Sequence, residues 1–127
     1  MATMHVELVS VEKALWSGEA TAVFARTPEG ELGVLPGHAP LLGALAPGFA
    51  VRIDRDGDTS VQVAVHGGIL SVRKDGVAVL GEMAEFGDEI DVPRARAALE
   101  AADAATDDGL AARNRALSRL RAAGETV

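Results

Sequence analysis

The chain has 127 residues, 48% of them apolar, 24% charged and 3% aromatic, with a net charge of −7. That length fits one domain or a domain with a small appendage, and the apolar share excludes a disordered chain. Nineteen acidic against twelve basic residues argue against binding nucleic acid or an anionic lipid surface as a whole body, and with no cysteine there is neither a disulfide framework nor a thiolate metal site. The opening Met1-Ala2-Thr3-Met4-His5 has no basic flank and no apolar run, so a signal peptide is not expected.

Strands are predicted over 5–11 and 21–26, with a turn at Pro28-Glu29-Gly30. From Gly33 to Val51, 19 residues pass without Lys, Arg, Asp or Glu, long enough for a membrane span. Pro36, Pro40 and Pro47, with Gly33, Gly37, Gly43 and Gly48, break any helix there, so loops and short apolar strands are expected and no membrane insertion. Phe49, Val51 and Ile53 then alternate with Ala50, Arg52 and Asp54. After a turn at Arg55-Asp56-Gly57-Asp58, Val61, Val63 and Val65 alternate with Gln62 and Ala64. A further strand over 69–73 turns at Lys74-Asp75-Gly76 into 77–80. Asp-Gly between alternating runs signals hairpins, and short strands at this spacing imply an antiparallel sandwich or flattened barrel.

Composition changes near Pro93. Residues 1–92 hold 20 Val, Ile or Thr and 12 of the 14 glycines, whereas 94–123 hold one β-branched residue, Thr106, and 12 alanines. The first is strand and turn chemistry, the second helix chemistry. Residues 1–90 are therefore expected to form a β-sandwich domain and 91–127 a helical hairpin. Asp91 can cap a first helix that tolerates Pro93 in its first turn and runs to about Ala105. Thr106-Asp107-Asp108-Gly109 interrupts, and a second helix is expected from about Leu110 to Ala123, with Leu110, Leu117 and Leu120 on one face. So short a connection predicts an antiparallel pair.

Enzyme signatures are missing. There is no G-x-x-x-x-G-K-[ST] phosphate loop and no G-x-S-x-G elbow. His5, His38 and His66 lack the helical spacing of a zinc pair, and each is expected to be a surface or loop histidine satisfying local backbone. An enzyme built on His38, His66 and a carboxylate has no motif behind it. A stand-alone sugar- or base-binding sandwich would need exposed aromatic rings, and the chain has one Trp, three Phe and no Tyr. The segment 30–42 is unusual in another way. Dense glycine and proline fix one loop shape, while Val34, Leu35, Leu41 and Leu42 supply apolar surface, either packed on the sandwich or offered to a partner.

That segment, followed by Leu45 and Gly48, closely resembles the epsilon subunit of bacterial F-type ATP synthases. So do Gly67-Gly68-Ile69-Leu70-Ser71-Val72 and the opening from Val9-Ser10 to Trp16-Ser17-Gly18. The resemblance covers essentially the whole chain in order. It implies a ten-stranded antiparallel β-sandwich followed by two α-helices. It also implies a non-catalytic rotor subunit of the central stalk, peripheral at the cytoplasmic face of the bacterial cell membrane. There the sandwich would sit against the gamma subunit and the membrane c-ring, coupling proton flow to ATP synthesis in the alpha–beta head. Glu31 and His38 fall in the motif that the family uses at its docking end, which implies interface roles for them.

A second resemblance concerns nucleotide. Ile90-Asp91-Val92-Pro93-Arg94-Ala95 matches the I/L-D-x-x-R-A pattern of epsilon subunits that bind ATP between their folded helices. No cofactor is required on this reading, and ATP would be a regulatory ligand. The resemblance implies a site made of Glu85, Asp91, Arg94, Arg115 and Arg119, in which guanidinium groups fork onto phosphate and carboxylates bond adenine or ribose. The same residues also suit ordinary roles, Asp91 as a helix cap and Arg115 and Arg119 as solvated charges opposite the leucines. The resemblance further implies that the helices can extend toward the alpha and beta subunits and obstruct ATP hydrolysis.

Overall fold

The structure is a computed structural model describing residues 2–127. In chain order it contains β1 (Met4–Ser10), β2 (Ala14–Ala20), β3 (Ala22–Thr27), β4 (Gly30–Val34), β5 (Leu41–Ala44), β6 (Ala50–Asp54), β7 (Val61–Arg73) and β8 (Gly76–Phe86). A 3-10 turn (Gly87–Glu89) leads to α1 (Val92–Ala101) and α2 (Asp107–Ala122). Strands followed by a helical pair are present as expected, with eight strands among the described residues in place of ten. The segment 61–73, expected as two strands, is one. Gly67, at φ +64, bends β7 without ending it. Pairing with β8 continues across the bend, His66 opposite Met83 and Gly68 opposite Gly81.

The strand order is β2-β1-β8-β7-β6-β3-β4. Along its edge away from β8, β7 pairs first with β6 (Val63 opposite Val51) and then with β5 (Leu70 opposite Gly43). One pair departs from the antiparallel expectation: β1 runs parallel to β8, with Val6 opposite Val77 and Leu8 opposite Val79. No tight turn joins these two strands, so hairpin geometry does not dictate their relative direction.

The core is built from inward positions at a period of two: Val6, Leu8, Val23, Ala25, Val51, Ile53, Val63, Val65, Leu70, Val72, Val77 and Val79 are all buried. In β7 the buried face shifts from odd to even positions across Gly67-Gly68, so the bend keeps both halves facing the core. Ala64 points to the other face of β7 yet is fully buried, because α2 covers that face.

The helices are capped by their own sequence. Asp91 accepts a bond from the Arg94 N–H (3.1 Å), and Thr106 accepts one from the Gly109 N–H (2.9 Å). The segment 106–109, expected to interrupt the helices, is thus the cap and first turn of α2. Asp107 and Asp108 lie at its positive end and Arg119 and Arg121 at its negative end, matching the helix dipole. Arg96 of α1 meets Glu125, beyond the end of α2, at 2.7 Å, which fixes the pair as antiparallel. The second helix lies between the sheet and α1 and buries Ala116, Leu117, Ser118, Leu120 and Ala122. Leu110, near the N-terminal end of the helix, is 43% exposed and lines a cleft with Val65 and Met83 of the sheet.

At the 3-10 turn the backbone approaches the end of α2 closely: a Cβ built on Gly87 would collide with the Ala122 carbonyl. Gly87→Ala is therefore expected to push α2 off the sheet. The variant should show raised amide exchange confined to 92–122, and exchange equal to that of the unaltered chain would contradict this close approach.

Candidate functional site

Four of the five residues implied for a nucleotide site come together. Glu85 at the end of β8, Asp91 at the cap of α1, Arg94 in its first turn and Arg119 on α2 line one cavity of about 490 Å³, with Glu89, Ile90, Ala95 and Ala98. Arg115 does not join them. It lines a neighbouring cleft of about 620 Å³ with Leu45, Val65, His66, Met83 and Leu110. Four residues along a helix are about 40° apart, but the cavity meets α2 near its C-terminal end, and one turn is enough to carry Arg115 past it.

The cavity is pre-neutralised. Glu85 Oε1 accepts a bond from Arg119 Nε at 2.8 Å and a second from His66 Nε2 at 3.1 Å. An ionised carboxylate only accepts, so His66 carries its proton on Nε2 and donates. Arg119 is thus tied to the sheet and is not the solvated charge that a leucine-opposed position suggests. Among the described residues Arg94 forms no salt bridge and remains free for an anion. Three carboxylates (Glu85, Glu89 and Asp91) line the cavity together with two guanidiniums, Arg94 and Arg119. The Asp91 carboxylate is also engaged through Oδ1 in capping α1, so binding and capping share one side chain.

His66 was not among the expected site residues. Its side chain is 10% exposed and bonds Glu85 rather than local backbone. Burial holds its pKa below the ordinary histidine value, with Arg119 and Arg115 acting in the same sense and the bond to Glu85 opposing. His38 does behave as expected, with Nδ1 2.6 Å from its neighbour's Ala39 carbonyl oxygen. His5 lies instead between Glu7 (3.3 Å) and Glu19 (3.4 Å), on the exposed side of β1 and β2.

A second contact ties the hairpin to the sandwich. Arg121 donates to the Gly48 carbonyl and stacks on one side of Phe49 (4.5 Å), while Arg26 lies 4.7 Å from the same ring. Glu31 is exposed on β4, opposite Arg26 of β3, and borders this aromatic cluster. His38 follows the other end of β4, in the link to β5; Leu35 in that link (59%) and Leu42 in β5 (73%) are exposed. The two expected interface residues therefore share one edge of the sandwich without touching.

Residues 3–87 match the protein family described as ATP synthase, Delta/Epsilon chain, beta-sandwich domain. The fold is that of this class of sandwich, here carrying a folded helical pair. Over nearly its full length the chain is similar to the ATP synthase epsilon chain of Mycobacterium avium strain 104, at 48% identity over 98% of each chain. It is similar to that of Streptomyces griseus at 50% identity over 95% of each. Among solved structures it resembles a chain of the Euglena gracilis mitochondrial ATP synthase OSCP/F1/c-ring assembly, with a TM-score of 0.74 and 27% identity, covering 98% of this chain and 83% of that one. The chain belongs to the ATP synthase epsilon chain family.

Proposed function

We propose that the chain is a non-catalytic rotor subunit of the central stalk, coupling proton flow through the membrane ring to ATP synthesis in the alpha–beta head. The observation that carries this is the near-complete match, sandwich and helices together, to ATP synthase epsilon chains. No helix among the described residues is long and apolar enough to cross a membrane, so attachment at the cytoplasmic face of the cell membrane would run through protein partners. The gamma subunit and the c-ring are the proposed partners of the sandwich, and the edge with exposed Leu35 and Leu42 beside Glu31 and His38 is the proposed docking surface. Glu31→Ala with His38→Ala is expected to leave the isolated fold within about 0.5 kcal/mol of the original, since both are surface changes. Proton-driven ATP synthesis by the assembled enzyme should fall; normal synthesis would remove these residues from the docking surface.

The hairpin is the proposed regulatory element, with ATP as a ligand of its folded state. A folded hairpin binds nucleotide between Arg94, Arg119 and the carboxylates, and an extended one has no such pocket, so ATP shifts the population toward the folded form. Extended, α2 would span roughly 24 Å at 1.5 Å per residue and carry Arg113, Arg115, Arg119 and Arg121 toward the alpha and beta subunits. A chain ending at Asp91 tests this reading. Every member of the buried sandwich cluster lies in residues 6–79, so such a chain is expected to fold and still join the complex. ATP hydrolysis by that complex should rise, and unchanged hydrolysis would remove the inhibitory role.

A further inference from the structure

We infer that His66 is a positioning residue of the nucleotide pocket: from the sheet it holds the Glu85 carboxylate in place when Arg119 leaves it for a phosphate. The inference rests on the nucleotide reading of that pocket. In the structure one oxygen, Glu85 Oε1, is shared by two donors from different elements. Arg119 is carried by α2, and its side chain is 28% exposed. His66 stands on β7 beside the bend at Gly67, in continuous register with the strand that carries Glu85. A phosphate drawn to Arg94 competes with Glu85 for Arg119. Without a second donor, the half-buried carboxylate would lose its partner as the ligand arrived, and that desolvation cost would oppose binding. His66 removes this cost. It keeps Oε1 occupied, so the second carboxylate oxygen stays presented to the base or ribose while Arg119 turns away.

The arrangement also links binding to protons. His66 faces Glu85 on β8 and Arg115 and Arg119 on α2, and shares its cleft with Glu82 and Asp107. In the empty pocket, burial and the two arginines favour neutral imidazole. A bound polyphosphate draws the Arg119 charge away and brings negative charge near, which favours imidazolium. The pocket therefore takes up a proton on His66 as it fills. Affinity for nucleotide gains as pH falls through the window between the pKa in the filled pocket and the lowered one in the empty pocket. This gain adds to whatever the protonation of the nucleotide itself contributes.

The test is calorimetric titration of the full chain with MgATP from about pH 8 to about pH 6, the range over which histidine titrates. The original chain is compared with His66→Gln, which can donate to Glu85 but cannot titrate, and with His66→Leu, which does neither. At the upper pH, His66→Gln should bind within about threefold of the original and His66→Leu about tenfold more weakly, the scale of one lost hydrogen bond. Toward the lower pH the original should gain affinity relative to His66→Gln. Binding by His66→Leu equal to that of the original at the upper pH overturns the positioning role, and parallel pH profiles for the original and His66→Gln overturn the proton uptake. No MgATP binding by the original chain at any pH overturns the nucleotide reading and the inference with it.

Discussion

Arg94→Ala combined with Arg119→Ala is expected to weaken MgATP binding by the isolated chain by about a hundredfold or more, since each removes a charge-assisted bond of roughly 1.5–3 kcal/mol. These are the only two cations lining the cavity among the described residues, and one of them must first be released from Glu85. Arg115→Ala serves as the control. Its side chain lines the neighbouring cleft, so it should change affinity by less than about threefold, the scale of an exposed charge. Calorimetry on the three chains separates the cases. Equal binding by the double variant would reduce Arg94 and Arg119 to helix-surface and docking charges.

Leu120→Ala carries the other large effect. Leu120 is fully buried where α2 meets the sheet, and truncation of such a residue costs about 2–5 kcal/mol. Helices of 10 and 16 residues are marginal alone, so the loss falls on the docked hairpin rather than on helicity itself. Limited proteolysis should cut the variant within 92–122 while the strands stay protected. Leu110→Ala, at a half-exposed position on the same helix, should remain resistant. If Leu120→Ala exposes strands and helices together, hairpin and sandwich form one cooperative unit and the hairpin has no independent folded and released states.

Much of the fold was readable because one physical signal dominated each region. Valine at alternate positions in 61–65 marked a half-buried strand, and the alanine-rich tail after Asp91 marked helix. What escaped had competing signals. The strand β2 (Ala14–Ala20) has no β-branched residue and lies at the end of the sheet, so its pattern gave no period to read. Gly67-Gly68 resembled a break between strands, and only tertiary packing makes it a bend within β7. Thr106 is an N-cap, but with Asp107, Asp108 and Gly109 after it the segment looked like a loop.

The candidate site was legible where the I/L-D-x-x-R-A pattern fixed local geometry, at Asp91 and Arg94. Glu85 and Arg119 are 34 positions apart, and their contact depends on how α2 lies against β8, which spacing alone does not set. Arg115 was grouped with Arg119 by the family resemblance, yet the cavity is lined by Arg119 alone of the two. His66 carried no motif. Its only sequence signal was a titratable side chain next to Gly67-Gly68 in an apolar strand, a place where burial needs a partner.

Proton-driven ATP synthesis in inverted membrane vesicles, measured after this chain is stripped from the membranes and again after the purified chain is returned, tests the rotor assignment most directly. Stripped vesicles should lose synthesis while their ATP hydrolysis persists uncoupled from proton movement, and the returned chain should restore synthesis. Vesicles that synthesise ATP at an unchanged rate without the chain would contradict its place in the rotor.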